Sequence, residues 1–488
     1  MSSESPVSGV IAGYLASAVN YAFAVIYVIV LTKLIPLTQY GYYNSLLAMM
    51  GIFSLFFPTL GIDVAIAREA AMLHARNMPF EEHMAAILLI TIILTTAYSL
   101  TLLLAIPLYI ISKIPSYYLG IVYIYIAWII TQALTGVLST YLWIMGRLRS
   151  QGIGNMLYGL VFRPLEVALL VIMHSVYAII ISVLIGQLTT LLYYMSIIKR
   201  LPNPLKGLAL IRSGFKRYLN MGFQNWIIGY IGSIGGYALT YLMYLSLGPE
   251  YVAIYNLTTY MLGAVTALTG SVNNVFSSKL SHVIGAGGNT KALIKDYTIS
   301  AIVIGGLLSQ LATLAAPLLP ILGIVHGDYV RAIPYGMLLF ASAVISAPVG
   351  IYTIYYWVLG RGWHSVKVSA LGITVGLLTF ITTVKYLGFY SVILSSYLSS
   401  VTSLITFIIS DAHLRDRDVL FNLLVIGMLA SASSAITVMR GWPISQIILL
   451  MDTLAVIYIM KPIPQSVMNQ LPRFLKFMVK PFTAVLSG

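Results

Sequence analysis

Arg163 and Glu166 stand three residues apart inside the stretch 151–173, which is otherwise mostly apolar and long enough to cross a bilayer. A guanidinium near the middle of such a span costs roughly 2.5–3.5 kcal/mol on insertion scales, so it must face protein or water. Two chemistries fit that position. A fixed cation halfway across the oil layer can bind an anion in transit, because its planar fork holds phosphate oxygens bidentately and stays charged. Equally, the i,i+3 spacing lets Arg163 and Glu166 pair with each other inside a packed bundle. Under the first chemistry Glu166 is either the arginine's partner or a site for a coupling H⁺ or Na⁺. Pro164 has no N–H to offer the carbonyl of Leu160 and predicts a bend in this helix. Other polar residues that could line a path are Asn20 and Tyr21 in the first apolar stretch and Gln224 and Asn225 in the seventh. Intramembrane amides also serve simply to join helices by hydrogen bonds. Asp63 and Arg68, where the second stretch meets water, read as cap and anchor. Asp452, in the fourteenth stretch, is expensive unless paired or protonated and is expected to pack against the thirteenth.

The elements that must position these residues follow from composition. Of 488 residues, 59% are hydrophobic and only 8% charged, with mean hydropathy +0.94, which no soluble domain shows. Only helices and closed barrels satisfy their backbones in lipid, and apolar runs of about twenty residues select helices. The fold class is therefore an all-α polytopic membrane protein with about 14 transmembrane helices joined by mostly short connections. The net charge of +14 does not point to nucleic acid, because the basic residues are spread over many short loops, as orientation signals are. With the amino terminus inside, only Lys33, Lys113, Arg331, Lys385 and Arg440 of the 27 Lys and Arg fall outside, and Arg163 lies within a span. That bias predicts that both termini are cytoplasmic in a multi-pass plasma-membrane protein. The start carries Glu4 and no basic n-region, so the first span reads as retained. There is no cysteine, His326 and Asp328 are too few for a metal site, and no nucleotide-binding or triad pattern occurs. No cofactor is expected.

The chain repeats itself. Tyr141-Leu142-Trp143-Ile144-Met145-Gly146-Arg147 is answered 214 positions later by Tyr355-Tyr356-Trp357-Val358-Leu359-Gly360-Arg361. Gly41-Tyr42-Tyr43-Asn44 is answered 212 positions later by Ala253-Ile254-Tyr255-Asn256. Nearly equal offsets indicate a six-helix unit used twice, and an even count makes the two copies parallel, with a site expected between them. The expected organisation is an amino-terminal six-helix lobe over 1–198, a cytoplasmic linker over 199–218 and a second six-helix lobe over 219–410. Transmembrane helices 13 and 14 follow over 411–461, then a basic tail over 462–488 that suits an interfacial helix. The Gly-Arg pairs are expected to end their helices, with the glycine as cap.

Leu34-Ile35-Pro36-Leu37-Thr38-Gln39-Tyr40-Gly41 leads to Leu60-Gly61-Ile62-Asp63, and Leu247-Gly248-Pro249-Glu250-Tyr251 repeats the turn before the eighth span. Together with the Arg-Pro in the fifth span and the Gly-Arg after the tenth, this resembles the polysaccharide flippase branch of the multidrug/oligosaccharidyl-lipid/polysaccharide exporter superfamily, over roughly residues 8–462. The resemblance implies two six-helix lobes around a V-shaped cavity, alternating access and no enzyme activity. It also implies transfer of a polyprenyl- or dolichyl-(di)phosphate-linked oligosaccharide from the inner to the outer leaflet, among membrane lipids as the other partners. Basic residues of the amino-terminal lobe would hold the substrate phosphates, and Arg163 is the candidate. Many relatives carry an Asp-Arg pair late in the seventh span where this chain has Thr240-Tyr241, so no coupling role of that pair transfers. The rivals are a multidrug or organic-cation exporter of the sister branch, which Glu166 keeps open, and an integral-membrane glycan polymerase or ligase. The enzyme would need an outer loop with more than Asp328 and Arg331 to offer.

Overall fold

The computed structural model describes residues 23–54, 60–110, 114–198, 200–440 and 444–460. Asn20, Tyr21 and the basic tail lie outside the described residues. The described residues are mostly helical: α1 (Phe23–Leu34), α2 (Leu37–Ser54), α3 (Ile62–Ala75), α4 (Glu81–Ile110), α5 (Leu119–Ile144), α6 (Leu148–Met173), α7 (Tyr177–Ile197) and α8 (Leu208–Leu247). There follow α9 (Pro249–Gly285), α10 (Thr290–Ala315), α11 (Leu318–Ile321), α12 (Ala332–Phe340), α13 (Ser342–Val358), α14 (Gly362–Leu387), α15 (Tyr390–Ser410), α16 (Arg417–Arg440) and α17 (Ile444–Met460). Within the described residues, the apolar stretches of the sequence fall mainly in helices. Among the described residues eight helices are long and apolar enough to cross a membrane, or nine counting a span bent by 51° between α12 and α13.

Helix ends follow local chemistry. Asn289 caps α10 by accepting from the N–H groups of Lys291 at 3.0 Å and Ala292 at 3.4 Å, and Asp416 caps α16 through Asp418 at 2.9 Å and Val419 at 3.2 Å. The repeated Gly-Arg pairs close α5 and α13 in the same way. Gly146 and Gly360 adopt φ of 68° and 71°. The N–H of Gly146 donates to Trp143 at 3.0 Å and that of Arg147 to Leu142 at 2.8 Å; Gly360 donates to Trp357 at 3.0 Å and Arg361 to Tyr356 at 2.8 Å. These are matched Schellman caps. The other repeated pair behaves alike, since Asn44 Nδ2 donates to the Tyr40 carbonyl at 2.8 Å and Asn256 Nδ2 to that of Val252 at 3.0 Å.

The chain divides into two compact units: residues 1–230 with 324–327, and 231–323 with 328–488. The division falls inside α8. In the first unit, Ile62, Ile66 and Ala70 of α3 pack with Met84 and Ile87 of α4, Val137 and Ile144 of α5, and Tyr218 of α8. Gly61 and Gly222 bring α3 and α8 into backbone contact; a Cβ on either would collide with the other's main chain. The segment 199–218, a linker in the sequence, is helical from Leu208 and docks on this unit through Gly207, against the backbone of Ala85 and Ala86, and through Tyr218.

The second unit is built around α10, in which every residue from Tyr297 to Gln310 is buried. A helix apolar and buried all round must be packed on every side, and α9, α12, α13, α16 and α17 surround it. Its polar residues hold neighbours: Gln310 Nε2 donates to Thr453 Oγ1 of α17 at 2.6 Å. The expected burial of Asp452 against the thirteenth span is not what the structure shows. Thr453 takes the inward position, fully buried, and Asp452 is exposed.

Candidate functional site

The central charge sits in α6, a 26-residue helix and so about 39 Å long. Arg163 lies roughly 22 Å from its first residue and 15 Å from its last. Pro164 is accommodated within the helix without a break. Glycines let α7 approach: a Cβ on Gly186 would meet Phe162 Cβ at 2.9 Å, and one on Gly154 would meet the Tyr194 ring. Small residues that bring backbones together are the usual device for helix packing in lipid. Tyr194 then donates its hydroxyl to the Gln151 carbonyl at 3.0 Å, fixing α6 on α7.

Arg163 Nη1 donates to Glu166 Oε2 at 2.6 Å, with the arginine side chain 18% exposed and the glutamate 1%. The guanidinium carbon lies 4.6 Å from the Phe162 ring centre and 5.3 Å from that of Tyr27 in α1. Tyr158 stacks on Phe162 at 5.3 Å, so it shares this face. The Glu166 carboxylate and the faces of Phe162 and Tyr27 hold the cation, each face contributing roughly 0.5–2 kcal/mol. Of the other residues expected at the site, Gln224 and Asn225 fall in α8, but their side chains lie outside the described residues, as Asn20 and Tyr21 do entirely.

A cavity of about 390 Å³ opens in the same unit among α2, α3, α4, α5 and α8. Its described polar lining comprises Asp63, Thr91, Thr95, Tyr98, Gln132 and Thr140, together with Ser54 and Tyr230. Asp63, read from the sequence as a helix cap, instead contributes a carboxylate to this space from the first turn of α3. Arg163 and Glu166 do not line it. The sequence offered one signal for it, the run of threonines at positions 91, 95 and 140, which is too weak to identify a lining without the fold.

A second ionic cluster, joining α3, α4 and α8, was not legible in the sequence. Arg217 of α8 donates to Glu69 of α3, Tyr218 donates its hydroxyl to Glu69 Oε2 at 2.7 Å, and His83 Nε2 lies 3.9 Å from Glu69 Oε1. The hydrogen bond from Arg217 holds the Glu69 carboxyl below the usual glutamate range. Among the described residues no group of three or more His, Cys, Asp or Glu is placed to hold a metal ion.

Comparison with solved structures shows the fold. The lipid II flippase MurJ, in an inward closed conformation, is 12% identical, with a TM-score of 0.65 over 92% of this chain and 99% of that one. An inward-facing multidrug resistance MATE family transporter of the MOP superfamily is 14% identical, with a TM-score of 0.60 over 85% and 98%. A MOP superfamily transporter from Pyrococcus furiosus, described by a reverse polarity of its binding pocket, is 14% identical, with a TM-score of 0.51 over 84% and 96%. No curated protein matches the sequence. The sequence model of the family described as polysaccharide biosynthesis protein matches residues 7–278, more than half of the chain. This multi-pass helical membrane protein therefore belongs to the polysaccharide biosynthesis protein family and has the fold shared by MOP superfamily flippases and transporters.

Proposed function

We propose that the protein flips a polyprenyl- or dolichyl-(di)phosphate-linked oligosaccharide from the inner to the outer leaflet of the plasma membrane by alternating access, without enzyme activity. In this reading both termini are cytoplasmic, and two six-helix lobes over 1–198 and 219–410 share the work. Arg163 is the ligand of the substrate phosphate. The observation that carries the reading is a permanent cation held about halfway along a membrane-spanning helix of a polysaccharide-family chain. A phosphate and the Glu166 carboxylate compete for the same guanidinium. Protonation of Glu166, or its capture of Na⁺, would release Arg163 to the phosphate and so link ion and cargo. The alcohols and amide of the cavity suit a hydroxyl-rich cargo better than an apolar one. The test is flipping of polyprenyl-diphosphate oligosaccharide in proteoliposomes, which Arg163→Leu should abolish.

One observation favours a second reading, export of organic cations: Asp63 places a carboxylate on the cavity wall. Under that reading Asp63→Asn would abolish efflux of a lipophilic cation such as ethidium, and Arg163→Leu would leave it intact.

A further inference from the structure

We infer that the outward stripe of α17 is a docking surface for a transmembrane helix of another membrane protein, one that carries an Arg or Lys at mid-span. Ile447, Ile448, Met451, Asp452, Ala455 and Tyr458 are all exposed, and their spacing places them on one helical face. Asp452 sits eight residues from either end of α17, so about 12 Å of helix separates it from each terminus.

The helix cannot turn this carboxylate inward without losing its own anchor. Its opposite face packs on α10 and α16, with Ile457 and Thr453 fully buried. Thr453 Oγ1 accepts from Gln310 Nε2 and donates to the Leu449 carbonyl at 2.9 Å, which pins the rotation. Among the described residues no basic side chain pairs with Asp452. An ionised acidic group surrounded by apolar side chains is costly in lipid, and an opposite charge brought by a neighbouring helix relieves that cost without protonating it. Among the described residues, the same face of a second copy does not supply one. An isologous contact would set this stripe against itself, with two carboxylates and no cation among the described stripe residues. Charge complementarity therefore selects a different chain with a basic mid-span residue. Ala455, one turn from Asp452, leaves room for the partner backbone to come close.

The absence of cysteine allows labelling without background. A Met439→Cys variant, substituted where the side chain is 83% exposed on the adjacent α16, carries a donor fluorophore in liposomes. Acceptor-labelled Leu-rich transmembrane peptides with either a central Arg or a central Leu are the probes. The Arg peptide is expected to associate about tenfold more tightly than the Leu peptide, the size of one interhelix polar contact in lipid. That preference should vanish in Asp452→Leu and survive in Asp452→Glu. Equal association of the two peptides with the unmodified face would overturn the proposal without any reliance on variant folding. So would oxidative cross-linking of Met451→Cys copies to each other at high lipid dilution, which would assign the face to self-association.

Discussion

Replacing Glu166 by Leu leaves the Arg163 guanidinium without the carboxylate that Nη1 reaches at 2.6 Å. Breaking a buried ion pair in this way costs about 3–5 kcal/mol in soluble proteins, whereas interhelix hydrogen bonds in membranes average about 0.6 and reach about 1.7 kcal/mol. Two features of the site decide between these ranges. Arg163 keeps 18% of its side chain exposed and retains the Phe162 and Tyr27 rings, which lowers the cost. Glu166 is 1% exposed, so the pair itself is shielded from solvent, which raises it. The expected loss is about 2–3 kcal/mol. Arg163→Leu should cost a similar amount, because it strands a buried carboxylate. The double variant Arg163→Leu/Glu166→Leu removes both charges and should fall within about 1 kcal/mol of the parent, since apolar residues of similar volume commonly replace a buried pair at little loss. The assay is equilibrium unfolding in mixed detergent–SDS micelles, followed by tryptophan fluorescence. A coupling energy below about 0.5 kcal/mol in this double-mutant cycle would refute the pairing argument.

Gly222→Ala should destabilise the first unit by about 1–3 kcal/mol, because the new methyl meets the Gly61 backbone, and thermal unfolding in detergent reads it directly. Glu69 should make stability depend on acid: its carboxyl is held low by the Arg217 hydrogen bond, so the contribution is present above about pH 4.3 and is lost as pH falls through the depressed value. The Glu69→Gln variant should therefore show a flatter decline in melting temperature over that acid range, and an unchanged decline would contradict the assignment. Thr453→Val should weaken the hold of α10 on α17 by about 1 kcal/mol, because the Gln310 amide loses its acceptor, and a lowered thermal unfolding midpoint in detergent reads it.

Much of the fold was legible because its causes are local. Apolar runs of bilayer length became helices, and the Gly-Arg repeats became twin Schellman caps, since a positive φ at Gly146 and Gly360 is a property of a few neighbouring residues. The i,i+3 spacing of Arg163 and Glu166 allowed the ion pair that the structure shows, but left it open beside a cation reserved for an anion in transit. What the sequence hid depends on contacts made far along the chain. Glu69 and Arg217 lie 148 positions apart and nothing in either neighbourhood announces the other. Asp63 has the surroundings of a helix cap, and only the packing of α3, α4, α5 and α8 shows that it lines a cavity. Asp452 and Thr453 are adjacent, so composition could not say which faces inward; the buried amide of Gln310 settles it in favour of the threonine. The length of α8 was also understated, because the basic residues Arg212, Lys216 and Arg217 read as a loop although they continue the helix.

The most direct test of the account compares flipping by the parent and by the charge-free Arg163→Leu/Glu166→Leu variant in proteoliposomes, using polyprenyl-diphosphate oligosaccharide and a lectin that reports its arrival on the far leaflet. Because that variant is expected to keep its fold, a flipping rate no higher than that of protein-free liposomes is the predicted result. A rate equal to the parent's would contradict the claim that the cation within α6 conducts the anionic headgroup across the membrane.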